Sequence, residues 1–183
     1  MCICFNQECI VRIALVIGHK LTSGGAVSYN GITEFEYNEE LVGMVASNLA
    51  DSEHEVLIFH RKRYRDLPDE INEKNPNLVI SFHCNAFNTK ATGSEVLYYR
   101  NSIVGQAVAA KLADAIHECL GLVNRGLKAK SSEDRGGYLL RYTKAPCVLL
   151  EPFFIDNPLD FSVGTDLKQE LSLAISDIIE KLA

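Results

Sequence analysis

Two observations predict a layered α/β domain around a mostly parallel sheet. Apolar runs of strand length recur along the chain, and amphipathic segments with helical spacing lie between them. The runs are continuous rather than alternating, as expected for strands covered on both faces. In chain order they are Arg12–Ile17 (RIALVI), Glu55–Phe59 (EVLIF), Leu78–Phe82 (LVISF), Glu95–Tyr99 (EVLYY) and Cys147–Leu150 (CVLL), with Gly137–Tyr142 (GYLLRY) as a further candidate strand. The helical segments are Tyr37–Leu49, with Leu41, Val45 and Leu49 on one face; Ser102–Leu120, with Val108, Leu112 and Ile116; and Asp166–Leu182, with Leu171, Ile175 and Ile178. Gly24-Gly25, Asn30-Gly31 and Asp134-Arg135-Gly136-Gly137 read as loops inside one domain.

A chain of 183 residues with 47% hydrophobic and 23% charged residues is long enough for a substantial core and suits one domain over 1–183, its core from about 12 to 183. Nothing reads as an internal repeat, a low-complexity segment or a linker to a second domain. No apolar stretch approaches the ~20 residues that cross a bilayer. The net charge of −6 argues against a nucleic-acid surface. The Arg61-Lys62-Arg63 cluster reads as a solvated face. The N-terminal MCICFNQECIVRIALVIG lacks a basic leader, so a secretory signal is not expected and synthesis in the cytoplasm is. Six cysteines are scattered at 2, 4, 9, 84, 119 and 147. The Cys2, Cys4, Cys9 spacing has no matching second pair, so a structural zinc there is not expected, and Cys119 and Cys147 read as buried thiols.

In open α/β sheets, sites form beyond the carboxyl ends of the strands. RIALVIG is followed by His19, LVISF by His83 and CVLL by Glu151. Zinc takes imidazole and carboxylate ligands, three from the protein when it catalyses, so two histidines call for an acidic third. Thr33-Glu34-Phe35-Glu36 opens the first helix. Thr33 with Glu36 makes a capping box, which assigns Glu36 to the cap and Glu34 to the metal, with exchange of the two roles left open. Neighbouring side chains on an extended chain point to opposite faces. His83 is therefore the ligand and Cys84 a packed thiol on the far side.

The order GHK, GITEFEYNEELV, LVISFHCNA, GSEVLYY, NRGLK and LLRYTKAPCVLLEPFFIDNP resembles the zinc-dependent N-acetylmuramoyl-L-alanine amidases of the amidase-3 family from about Arg12 to the final helix. The strongest matches are Ser81–Ala86 and Pro146–Pro158, and the Glu34–Asn38 spacing also matches, favouring Glu34 over Glu36. The first ligand stands in Gly18-His19-Lys20-Leu21 where GHGG is common, and Cys84 replaces a small or apolar residue. The resemblance implies a six-stranded, mostly parallel sheet flanked by helices on both faces. It also implies one Zn2+ per chain on His19, Glu34 and His83, and peptidoglycan as substrate. Glu151 would be general base and then acid, with its structural alternative an ion pair to Arg141 or Arg125. Asn85 is expected to brace the ligand loop or meet substrate, and Arg125 and Lys128 either to meet stem-peptide carboxylates or to stand solvated. A monomer acting at the bacterial cell wall, of phage or prophage origin, completes the expectation. The competing readings are a zinc carboxypeptidase of related fold and a non-catalytic peptidoglycan-binding module.

Overall fold

A computed structural model describes residues 11–182, so Cys2, Cys4 and Cys9 lie outside the described residues. Six strands, β1 (Arg12–Ile17), β2 (Glu55–His60), β3 (Leu78–Phe82), β4 (Ser94–Tyr99), β5 (Asn124–Lys130) and β6 (Cys147–Glu151), form one sheet in the order β2-β1-β3-β6-β4-β5. β2, β1, β3 and β6 run parallel; β4 lies antiparallel to β6, and β5 follows β4 in parallel. The helices are α1 (Glu34–Asn48), α2 (Leu67–Glu73), α3 (Ile103–Leu120), α4 (Gly137–Tyr142), α5 (Pro158–Asp166) and α6 (Lys168–Leu182).

The sheet separates two apolar layers. Ile13, Leu15 and Ile17 of β1 pack with α1, α3 and α6, whereas Ala14 and Val16 pack with Leu67 and Ile71 of α2 and Leu139 and Leu140 of α4. Alternate residues of one strand thus enter different cores, which is why β1, β3 and β6 are apolar along most of their length, with Ser81 the interior exception.

GYLLRY, expected as a strand, is helix α4. The run holds one and a half turns, too short for helical periodicity to show, and its two leucines bury together against β4 and β6. The sixth strand is instead β5, NRGLKAK, at the sheet edge and half exposed, so its sequence carries no apolar run. Two further helices were not signalled by periodicity, α2 and α5. Each has proline in its first turn, and the Asn157 side chain caps α5 by accepting from Leu159 N and Asp160 N. Cys147 is buried, as expected, while Cys119 is only half-buried.

Asp160 fastens the loops that reach the sheet's rim. Its carboxylate, 1% exposed, accepts from Gly93 N at 3.0 Å, Phe154 N at 3.1 Å and Thr92 Oγ1 at 2.6 Å. Asp160→Ala strands these donors in the interior and is expected to cost about 3 kcal/mol or more. The measurement is urea unfolding, with a lower midpoint at unchanged slope.

Candidate metal centre and the cleft around it

Strand β1 ends at Ile17, and the chain turns sharply through Gly18 into His19, which holds a φ of +64°. This left-handed conformation is uncommon for a residue with a side chain. The turn brings the imidazole back over the rim, toward the first turn of α1. The Thr33 side chain caps α1 by accepting from Glu36 N at 3.2 Å, while the Glu36 carboxylate accepts from Thr33 N at 2.8 Å. Glu36 is thereby spent on the cap, and Glu34 is buried and points at the histidines.

His19 Nε2 lies 3.1 Å from Glu34 Oε2, and His83 Nδ1 lies 2.8 Å from Glu34 Oε1. One ligand atom from each of the three residues lies within 4.8 Å of the others. The carboxylate also accepts from Ala26 N at 3.2 Å and Cys84 N at 3.1 Å. Burial alone would raise the Glu34 pKa, but hydrogen bonds and charge from His19 and His83 outweigh it and hold the carboxyl far below the usual range. The close quarters extend to Gly25, at φ +85°, where a Cβ would sit 2.5 Å from Glu34 Oε2 and 2.7 Å from the His19 ring. Only glycine fits there.

Cys84 turns away from this cluster into the core, beside Asn38, as the strand alternation predicts, and burial pushes its thiol well up. Asn38 in turn donates to Glu34 O at 2.9 Å.

Glu151, the last residue of β6, faces the same cleft as His19 and His83. Its Oε2 is buried and has no hydrogen-bond partner among the described residues. Burial pushes its pKa well above the ordinary carboxylate range; Glu34 and Glu95 push the same way, and Arg135 and Lys130 oppose. The structural alternatives for Glu151 are not realised. Arg125 pairs with Glu95, and Arg141 lies over the rings of Tyr99 and Tyr142.

Asn85, Arg125 and Lys128 do converge, but on a residue that sequence reasoning passed over. Glu95 Oε1 accepts from Asn85 Nδ2 at 2.9 Å, and Oε2 lies 3.0 Å from Arg125 Nε and 3.8 Å from Lys128 Nζ. Glu95 lines the cleft directly across the β4–β6 pairing from Glu151, while Arg125 and Lys128 stand behind it, outside that lining. The backbone of Asn85 also bonds in both directions to the chain after β6, Asn85 N to Phe153 O and Ile155 N to Asn85 O. Asn85 therefore braces the loop that follows His83. The cleft, about 590 Å³, extends past Glu151 to Lys130, Arg135, Tyr64 and Arg61. Arg61 is thus part of the cleft wall rather than of a solvated face, unlike the exposed Lys62 and Arg63.

The donor set fits zinc. It consists of two imidazole nitrogens and a carboxylate, close to the ~3–4 Å separations of ligand atoms each about 2.1 Å from one ion, on a rim open to the cleft.

The sequence profile of the family described as N-acetylmuramoyl-L-alanine amidase, Amidase_3, matches residues 13–181. The N-acetylmuramoyl-L-alanine amidase LytC of Bacillus subtilis (strain 168) is 28% identical over 149 residues, which cover 79% of this chain and 29% of that protein. The chain therefore spans less than a third of this curated relative. The crystal structure of N-acetylmuramoyl-L-alanine amidase from Clostridium difficile 630 superposes with a TM-score of 0.85 at 18% identity, over 94% of this chain and 96% of that one. The catalytic domain of the CD27L endolysin, targeting Clostridia difficile, gives 0.80 at 25% identity, over 93% and 97%.

Proposed function

The chain belongs to the Amidase_3 family of N-acetylmuramoyl-L-alanine amidases, and on that premise we propose that it hydrolyses the amide joining N-acetylmuramic acid to L-alanine in peptidoglycan. One observation carries the reading: a buried carboxylate oxygen without a partner, on Glu151, shares a cleft with a convergent His19–Glu34–His83 cluster. His19, Glu34 and His83 would hold one zinc ion per chain. When bound, zinc supplies Lewis acidity that polarises the amide carbonyl and makes water a nucleophile near neutral pH.

The remaining chemistry falls to side chains of this chain. An amine is a poor leaving group, so the departing nitrogen must be protonated as the C–N bond breaks. Glu151 takes a proton from the attacking water and returns it to that nitrogen. A carboxyl with a raised pKa serves both halves, since it is basic enough to accept and acidic enough to give. Asn85, Arg125 and Lys128 serve the substrate by holding Glu95 at the cleft wall and balancing its charge.

In this reading, residues 13–181 form the whole catalytic unit, working as a monomer on the bacterial cell wall. Among the described residues no helix is long and apolar enough to cross a membrane. The likeness to an endolysin catalytic domain supports a phage or prophage origin.

The test is digestion of purified peptidoglycan, with and without a zinc chelator, and mass spectrometry of the products. The expected result is new L-alanine amino termini together with peptide-free glycan, lost on chelation and restored by zinc. Release of a terminal amino acid with the lactyl amide intact would instead establish the carboxypeptidase reading.

A further inference from the structure

Glu95 and Glu151 stand directly opposite each other on the antiparallel β4–β6 pair and line the same cleft, yet their settings differ. Glu151 Oε2 has no hydrogen-bond partner among the described residues. Glu95 is occupied on both oxygens. Asn85 Nδ2 donates to Oε1 at 2.9 Å and Arg125 Nε to Oε2 at 3.0 Å, with Lys128 Nζ 3.8 Å from Oε2. Neighbouring carboxylates in unlike settings take different parts in acid–base catalysis. Glu151 is free to carry a proton, whereas Glu95 is fixed as an acceptor.

The cations reach Glu95 through a break in the β4–β5 ladder. Between the pairs Ser94–Asn124 and Val96–Leu127, β4 contributes only Glu95, while β5 contributes Arg125 and Gly126. The extra residue makes a bulge, within which Gly126 takes a φ of +78°. Bulges re-aim side chains beside functional sites. A regular ladder would set one β5 residue against Glu95; the bulge lets Arg125 and then Lys128 approach the same carboxylate. Arg125 is itself fixed, its guanidinium 4.9 Å from the Phe154 ring centroid and its Nη1 donating to Thr92 O at 3.4 Å. Lys128 Nζ donates to Arg125 O at 2.8 Å.

Strand order then gives the site a direction. His19, His83, Glu151 and Glu95 stand at the rim ends of β1, β3, β6 and β4, four neighbours in the sheet spaced at about 4.8 Å per strand. The two carboxylates therefore lie to one side of the His19–Glu34–His83 cluster, Glu151 first and Glu95 beyond it. A secondary amide is planar and trans, so its C=O and N–H point in opposite directions. With the carbonyl oxygen at the cluster, the nitrogen comes to Glu151 and its N–H is directed along the row to Glu95.

Resting on the amidase reading, we propose that Glu95 is a further catalytic residue, which accepts a hydrogen bond from the N–H of the scissile amide and holds the nitrogen as it leaves. Glu95 gains no proton. Water adds to the carbonyl carbon as Glu151 takes its proton, and that proton passes to the nitrogen lone pair. The C–N electron pair goes to nitrogen, and the amine departs with its original N–H still directed at Glu95. The nitrogen becomes positive as it is protonated, so its contact with a carboxylate strengthens in the transition state and acts on kcat. A hydrogen bond to a charged group is worth about tenfold or more.

The experiment uses the zinc-loaded protein and two synthetic substrates, an N-acetylmuramoyl-L-alanyl peptide and its ester twin with L-lactate in place of L-alanine. The ester has no N–H to offer. In Glu95→Gln the kcat/KM for the amide should fall by about tenfold or more, chiefly in kcat, while that for the ester stays within about twofold of wild type. A loss shared equally by the twins, as a merely structural role would give, or no loss on the amide, would overturn the assignment. Should Glu95→Gln not fold, Glu95→Asp is read in the same way, since it keeps a carboxylate for Arg125 but draws it back by one methylene. A loss of about threefold or more confined to the amide then supports the assignment, and an equal loss sinks it. A wild-type protein that cleaves neither twin fails the amidase reading and the assignment with it. One that cleaves both, with no amide-selective loss in the variant, fails the assignment alone.

Discussion

Glu151→Gln is expected to lower kcat on peptidoglycan by about 10²–10⁴, with zinc content and KM little changed. The substitution keeps the shape at the end of β6 and removes only the ability to take up and release a proton. The same change should stabilise the fold, and the sign follows from the direction of the Glu151 shift. Burial and the Glu34 carboxylate raise its folded pKa well above the unfolded value. Below pH ~4 the carboxyl is protonated in both states, so wild type and variant should unfold alike. As pH rises, the unfolded wild-type chain ionises while the folded one holds its proton, and the wild type loses up to ~1.4 kcal/mol per pH unit until the folded pKa is passed. Glutamine has no such penalty. Thermal unfolding in chelator should therefore show coincident midpoints near pH 4 and a higher midpoint for the variant at pH 7. Coincidence at both pH values would contradict the buried, unpartnered setting of this carboxylate. A catalytic group that costs stability is what a site built for proton transfer should contain.

Glu34→Ala is expected to do damage of a different kind, to binding and to fold together. Its carboxylate is the meeting point of His19 Nε2, His83 Nδ1, Ala26 N and Cys84 N. Removing it takes away one of the three proposed zinc ligands, and affinity should fall by more than ~100-fold, since loss of mere supporting partners already costs 10–100-fold. Metal analysis after dialysis should find the variant empty while Glu151→Gln stays loaded. The metal-free variant should also be less stable at pH 7 by about 3 kcal/mol, because the buried groups around Glu34 lose their common partner. Glu36→Ala provides the contrast. It removes only the carboxylate that accepts from Thr33 N, leaves the Thr33 side chain capping the helix, and should keep the metal.

Those two glutamates show how far the sequence carries. They lie two residues apart at the start of one helix, and the capping box together with the Glu34–Asn38 spacing favours one over the other: Thr33 needs the third helical residue, which leaves Glu34 for the histidines. β1, β3 and β6 were legible because burial on both faces makes them apolar along most of their length. β5 was not, because an edge strand with half-exposed side chains has no such constraint. GYLLRY was misread for lack of length, six residues being compatible with either period. Glu95 was missed for a topological reason. The search for functional groups looked past the carboxyl ends of strands, but β4 runs opposite to β6, so it is the beginning of β4 that lies at the rim beside Glu151. Strand direction is not written in local sequence. The far wall of the cleft was hidden likewise, since Arg61, Lys130 and Arg135 come from separate segments that only the fold assembles.

The position of β6 also bears on when the site comes into being. This strand is the last of the sheet in the chain, yet it lies between β3 and β4. Until residues 147–151 have left the ribosome, the sheet can exist only as two pieces, β2-β1-β3 and β4-β5, each with an edge awaiting the same partner. The insertion of β6 joins the pieces and in the same motion delivers Glu151 beside His83, whose backbone N–H then bonds to Leu150 O. The cluster and Glu151 therefore meet only once the most non-local pairing of the sheet, β3 with β6, has formed.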